Sequence, residues 1–301
     1  MLEQAIAFTN SKGGVGKTSL LAHTGAIAAL SDWRTLIVEL DGQSNILREF
    51  GRLQDSDNGS GLHRLITGSG KLEAVRDVRP GLDVVPAGDV TLDLTYRLLM
   101  QQRRGRPGYL AVRDALEQVV SDYDLILFDC PPLLVDAIRS ALAASHYFVV
   151  VTKSDYKSID GLTRILSLYR EMLEGPNPDL EFLGVAVTQV GLQSTRIHAD
   201  AMNELRDRLM GVGSILEPTL RYNESAGHWV SKLGLLTHEL ELASEEARAR
   251  RFEFLRRKEK GKARDVGPTF NVTGLAEDYS QFTSNLLEEM NRRMATQGRV
   301  G

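Results

Sequence analysis

Close to the N-terminus an apolar run, Gln4 to Asn10, passes into Ser11-Lys12-Gly13-Gly14-Val15-Gly16-Lys17-Thr18-Ser19 and then into a helical pattern, Thr18 to Leu30. No other stretch restricts the fold so strongly. A strand, a glycine-rich turn and a helix in immediate succession make a phosphate cradle: the glycines let consecutive N–H groups turn inward, and the helix adds the positive end of its dipole. In such a cradle Lys17 reaches the β- and γ-phosphates as a point charge, and the Thr18 hydroxyl ligates Mg²⁺. Lys12, Gly13, Gly14, Val15, Gly16 and Ser19 complete the candidate nucleotide contacts. A turn that binds nothing would leave Lys17 without a purpose.

The rest of the chain alternates short apolar runs with longer amphipathic segments. Strands are predicted at Thr35 to Leu40, Leu82 to Pro86, Leu125 to Asp129, Tyr147 to Thr152, Phe182 to Thr188 and, weakly, Ser214 to Glu217. Helical patterns fall between them at Leu110 to Ser121, Ser158 to Leu173 and Ser194 to Leu209. Strands separated by helices imply βαβ crossovers and a mainly parallel twisted sheet covered on both faces, an α/β fold. Runs such as Leu125-Ile126-Leu127-Phe128 suit strands buried from both sides. Gln54 to Gly61 and Gly175 to Asp179 read as surface loops. One domain, 1–246, accounts for this alternation.

The composition shifts only late. Ala247 to Arg264 carries nine basic residues against Glu253 and Glu259, although the whole chain has 36 Lys+Arg and 40 Asp+Glu, a net charge of −4. Any attraction to nucleic acid must therefore be local. After Gly267-Pro268, Tyr279, Phe282, Leu286 and Met290 recur at helical spacing, which predicts a helix from Leu275 to Met294 packed on the body. Residues 247–301 thus form a basic segment and a docked C-terminal helix. A single cysteine, Cys130, makes no intramolecular disulfide, and neither a secretory leader nor a membrane-spanning run is predicted, so the expected location is cytoplasmic.

The stretch Lys12-Gly-Gly-Val-Gly-Lys17-Thr18 resembles the deviant Walker A box of the ParA/MinD family of dimeric P-loop ATPases. The resemblance implies that Lys12 reaches across a nucleotide-sandwich dimer to phosphates held by the other subunit, where a cation in trans neutralises charge on the transferred phosphoryl group. Glu39-Leu40-Asp41-Gly42-Gln43-Ser44-Asn45 is similar to the family's D-x-D-P-Q-x-N segment, with Glu39 and Gly42 as departures. By that match Asp41 positions the attacking water. Tyr123 to Pro132 resembles the family's Walker B and switch II, which places Asp129 near Mg²⁺, through water, and leaves Cys130 as a small buried residue. Ser158 to Leu162 is similar to the family's helix start after the next strand. Glu217 to Ala226 resembles its segment near the base, making Pro218 and Thr219 candidate ATP contacts.

Thr152-Lys153-Ser154-Asp155 matches a guanine-reading box, but it follows the first strand after Asp129, whereas such a box follows the second. ATP is therefore favoured over GTP. Three uses of the ATPase compete. A cluster-bridged metabolic relative needs at least two cysteines per subunit, and no additional catalytic box is visible. A MinD-like membrane ATPase ends in a basic amphipathic helix, whereas this one carries Glu277, Asp278, Glu288 and Glu289. The ParA-like reading fits the basic segment, with Arg250, Arg251, Arg256 and Arg257 as candidate contacts to non-specific DNA. The resemblance then implies a homodimer with ATP, residence on the nucleoid, no membrane, and hydrolysis stimulated by a ParB-like or other adaptor protein. The cargo, whether DNA or a protein assembly, stays open.

Overall fold

The computed structural model describes residues 1–10, 12–67, 72–92, 107–132, 134–191, 195–257 and 270–297. Ser11, the Gly267-Pro268 break and Lys258, Lys260, Lys262 and Arg264 of the basic segment lie outside the described residues. Among those described, eight strands form one sheet: β1 (Leu2–Thr9), β2 (Thr35–Glu39), β3 (Val75–Arg79), β4 (Leu82–Val85), β5 (Leu125–Asp129), β6 (Ser145–Lys153), β7 (Glu181–Thr188) and β8 (Ile215–Leu216). Their order is β3-β4-β2-β5-β1-β6-β7-β8, and every pairing is parallel except β3 with β4.

The predicted strands fall where the residues are buried on both sides. Every residue of β2 and β5 is buried, as are all but the last of β6. Side chains alternate across the sheet. Ile126 and Phe128 join the core on one face with Leu36, Val38 and Phe148, and Leu125 and Leu127 join the other with Ile6, Phe8 and Ile37. Helices cover both faces: α1 (Lys17–Leu30), α2 (Ile46–Glu49), α3 (Ser60–Thr67), α4 (Asp89–Leu92), α5 (Ala111–Leu116), α6 (Val135–Ala144), α7 (Tyr156–Leu173), α8 (Thr195–Leu209), α9 (Glu224–Leu233), α10 (Thr237–Arg256) and α11 (Thr273–Gln297).

Three local expectations are corrected. β3 was not predicted, because Val75-Arg-Asp-Val-Arg79 is mostly charged; it is an edge strand whose charges find partners, with Arg76 against Asp83 and Arg79 against Glu239. The segment Leu110 to Ser121 is not one helix but α5 flanked by tight turns at Gly108–Leu110 and Val120–Asp122. Gln54 to Gly61 is not wholly loop, since it enters a turn at Leu53–Asp55 and begins α3 at Ser60. The Gly175 to Asp179 loop is pinned from below: buried Asn177 donates through Nδ2 to the carbonyls of Leu142 and Ser145, both at 2.7 Å.

The C-terminal helix α11 packs on the body as its spacing predicts. Phe282, Leu286 and Met290 are buried in the core that also holds Leu20, Leu21 and Ala28 of α1. His23 stitches this face together. Its ring stacks on Tyr279 with centroids 3.8 Å apart, Nδ1 lies 2.7 Å from the Ser19 carbonyl, and Nε2 accepts from the Thr237 N–H at 3.0 Å. A ring that accepts at Nε2 carries its proton on Nδ1, so the neutral tautomer satisfies both contacts. Burial accordingly lowers the His23 pKa from 6.5 to about 3.

A histidine depressed in this way is uncharged in the folded chain while the unfolded chain takes up a proton below pH 6.5, so its stability is lost as pH falls through that window. Between pH 6.5 and pH 5 the wild type should lose about 2 kcal/mol more than a His23→Gln variant. Thermal or urea unfolding at the two pH values measures this; parallel curves would show that His23 is not the proton acceptor.

Candidate functional site

The phosphate loop hangs between the carboxyl end of β1 and the start of α1. Gly14 and Gly16 have φ of 71° and 77°, the left-handed region that side chains other than glycine rarely adopt, and Gly16 is the residue that caps α1. The loop is held from the side by the end of β7. Thr188 donates through its hydroxyl to the Val15 carbonyl, and Gln189 Nε2 donates to the Gly14 carbonyl at 3.3 Å. Asn10 closes the near end by donating through Nδ2 to the Lys12 carbonyl. Thr188 and Gln189 do not figure among the sequence-predicted contacts, because nothing in their local pattern tells that β7 ends against the loop.

Register brings three boxes to one edge of the sheet. Phe8 and Glu39 are the Cα partners of Asp129 on either side, and the Leu40 N–H donates to the Asp129 carbonyl at 2.9 Å. Asp129 is fully buried, and its carboxylate meets the ammonium of Lys17, itself only 5% exposed. Its other oxygen accepts from the Thr18 hydroxyl at 2.9 Å. A buried carboxylate beside a hydroxyl is an all-oxygen donor pair that suits Mg²⁺, which takes one or two protein oxygens and completes its shell with water and phosphate. The sequence-predicted Lys17, Thr18 and Asp129 are thus one cluster. Cys130, next to it, is fully buried, and burial pushes its thiol well above the usual range, so it is no nucleophile.

Asp41 sits beside this cluster but is turned on itself. Its Oδ1 accepts from the Gln43 N–H at 3.0 Å and its carbonyl from the Ser44 N–H at 3.0 Å. Glu39, the departure from the family pattern, has a structural task. One oxygen accepts from the N–H groups of Asn45 and Ile46 at 2.7 and 3.0 Å, and the other from Ala87 N–H at 3.0 Å. The longer side chain spans from β2 to both the start of α2 and the turn after β4. Burial, reinforced by the charge of Asp129, pushes its carboxyl up to about 7.

An open cleft lies beside the loop, bounded by Gly16, Ser19, Thr188, Gln189 and the run Leu220 to Asn223. Pro218 and Thr219, the base contacts expected from the sequence, are not among its lining residues. The reason is that the chain re-pairs with the end of β7 only after them: Leu220 N–H donates to Val187, Val190 N–H to Leu220 and Tyr222 N–H to Val190, at 2.8, 3.0 and 2.9 Å. That ladder carries Leu220 to Tyr222 toward the phosphate loop. Asp155 of the guanine-like box is also absent from the cleft lining; its side chain is exposed and lies 3.5 Å from the Lys12 ammonium.

The basic positions are far less embedded. Arg250, Arg251, Arg256 and Arg257 are all exposed, and from Glu245 to Arg257 no residue is buried. This end of α10 stands clear of the body. Glu246 and Glu253 accompany Arg250 and Arg257 one turn earlier.

Removing the carboxylate of Asp129 strands a buried ammonium. Asp129→Ala should therefore cost about 3–5 kcal/mol in urea unfolding, and adding Lys17→Met should recover at least half of it, since a neutral pair carries no uncompensated charge. Additive losses would show that the two groups are not a pair.

A protein-family profile described as an AAA domain matches residues 3–182. The chromosome-partitioning ATPase Soj of Thermus thermophilus is 34% identical over 183 residues, which cover 61% of this chain and 68% of that one. The chromosome partitioning protein ParA of Myxococcus xanthus is 32% identical over 197 residues, covering 64% and 67%. Among solved structures, cobyrinic acid a,c-diamide synthase from Mycobacterium smegmatis with bound ADP and magnesium matches with a TM-score of 0.66 at 26% identity, over 77% of this chain and 92% of that one. Cyanothece McdA in complex with ATP matches with a TM-score of 0.74 over 94% and 96%, and at 16% identity that likeness concerns the fold. The profile match spans the phosphate loop, Asp41 and Asp129 together, and with these relatives it makes the chain a member of the ParA/MinD family of deviant Walker A P-loop ATPases.

Proposed function

We propose that this ATPase is a ParA-type switch: ATP closes two copies face to face, the dimer holds DNA without reading sequence, and an adaptor protein triggers hydrolysis and release. The observation that carries the reading is the unequal placement of the two loop lysines. Lys17 is buried against Asp129, whereas the side chain of Lys12 is 46% exposed on the outside of the loop, beside Asp155. A cation there suits phosphates bound by a facing subunit, and its surface pairing with Asp155 is weak enough to exchange.

Within each subunit the backbone from Gly13 to Ser19 wraps the phosphates and Lys17 turns from Asp129 toward them. Thr18 and, through water, Asp129 are the residues to hold Mg²⁺. When bound, Mg²⁺ neutralises phosphate charge. Asp41 orients the attacking water once its turn opens. Gln189 and the Leu220 to Asn223 wall border the adenine side, in place of Pro218 and Thr219.

The projecting end of α10 is the candidate DNA surface, because its arginines are exposed around the helix and bury nothing. The docked α11 argues against a MinD-like use, since Phe282, Leu286 and Met290 already pack inward. The corresponding setting is the cytoplasm, on the nucleoid. The likeness to the Mycobacterium smegmatis synthase supports a second reading, an ATPase acting on a small molecule. Turnover in that case would not respond to DNA or to an adaptor.

Lys17→Ala should abolish ATP binding, whereas Asp41→Ala should bind ATP and sediment as a stable dimer; equal loss of binding in both would contradict their separate roles. Replacing Arg250, Arg251, Arg256 and Arg257 by Ala should weaken retention on DNA and lower the salt slope by about 4 per subunit. An unchanged slope would move the surface elsewhere, and no DNA retention by the wild-type ATP dimer would favour the small-molecule reading.

A further inference from the structure

The cleft wall from Leu220 to Asn223 has no helix or strand of its own, yet its backbone is fully committed. The N–H groups of Leu220 and Tyr222 donate to the carbonyls of Val187 and Val190 at 2.8 and 2.9 Å. Between them the Arg221 N–H donates to Asp278 Oδ2 at 3.0 Å. Asp278 is buried, and its two oxygens also take the Arg221 guanidinium at 2.7 and 2.8 Å. Asn223 ends the run as the cap of α9, its Oδ1 accepting from the Ala226 N–H at 3.0 Å. Both β7 and α11 therefore hold this segment, and it cannot shift without breaking several of these bonds.

On that fixed backbone one side chain is left unused. Tyr222 lines the cleft and is 51% exposed. Among the described residues its ring meets no other ring and its hydroxyl has no hydrogen-bond partner. The cleft's other tyrosine, Tyr279, is by contrast stacked on His23. A tyrosine exposed on a convex surface needs no explanation. On the rigid wall of a cleft, beside a phosphate-binding loop, it is a flat aromatic face open to whatever enters.

Its place suits one part of a nucleotide. Val190, the hydrogen-bond partner of Tyr222, follows Gln189, whose amide donates to the Gly14 carbonyl of the loop. A triphosphate wrapped by Gly13 to Ser19 has its nucleoside on the cleft side, where Gly16, Ser19, Gln189 and Tyr222 are the border. A purine has two broad apolar faces, and laying one of them on an aromatic ring takes both surfaces out of water. We propose that Tyr222 is the stacking platform for the purine base of the bound nucleotide. The inference rests on the assignment of this cleft to ATP. It adds a residue that the motif match did not single out, and it assigns the work to the ring rather than to the hydroxyl.

The test is a set of binding isotherms with the full chain and Mg²⁺, using ATP and ribose 5′-triphosphate, which lacks only the base. Tyr222→Ala should bind ATP about tenfold more weakly than the wild type, the weight of one stacked base, and ribose 5′-triphosphate within about twofold of it. Tyr222→Phe keeps the ring without the hydroxyl and should bind ATP within about threefold of the wild type. The proposal is overturned if Tyr222→Ala binds ATP as the wild type does, or if it weakens both ligands by one common factor, the mark of a purely structural role. It is also overturned if Tyr222→Phe is as weak as Tyr222→Ala, which would assign the hydroxyl. Failure of the ATP assignment looks different, since the wild type would then bind ATP no better than Lys17→Ala does.

Discussion

The buried contact between Lys17 and Asp129 is the constraint around which the other parts are arranged. An ammonium and a carboxylate removed from water are tolerated only in each other's company and with their remaining hydrogen-bonding capacity used. Thr18 uses one such capacity on Asp129, and the Leu40 N–H takes the Asp129 carbonyl. Loop, helix α1 and strands β2 and β5 are therefore fixed relative to one another by a single cluster. The same cluster is chemically poised. On the proposed function, a phosphate brought to the loop would compete with Asp129 for the Lys17 ammonium, so binding and rearrangement would be one exchange of partners.

What was legible in the sequence follows from how local each signal is. Strands β2, β5, β6 and β7 stood out because burial from both faces demands unbroken apolar runs. The phosphate loop stood out because left-handed backbone at Gly14 and Gly16 confines those positions to glycine. β3 escaped because an edge strand satisfies its charges sideways, through Asp83 and Glu239, and shows no apolar run. Glu39 was visible as a departure from the family pattern, but its task was not. Its three backbone partners come from α2 and from the turn at Ala87, which meet only in the folded chain.

The same reasoning applies to the cleft wall beside the loop. Pro218 and Thr219 were placed by their match to a motif, whereas the cleft wall is set by a backbone ladder between Leu220 to Tyr222 and the end of β7. Motif spacing locates a segment to within a few residues; hydrogen-bond register then decides which of them face the ligand. His23 and Tyr279 had no motif at all. They are brought together by the packing of α11 on α1, a stacked contact between residues 256 positions apart in the chain.

That packing also joins the two ends of the proposed cycle. Ser19 sits on the turn of α1 that follows the phosphate-binding residues. Its carbonyl holds the His23 ring, which in turn takes the N–H of Thr237, the first residue of α10. The other end of α10 carries the exposed arginines. Arg79 supplies the opposing restraint: its guanidinium grips Glu239 in the first turn of α10 and the carbonyl of Gly234 just before it. The first turn of α10 is thus held from the phosphate side by His23 and from the sheet edge by Arg79.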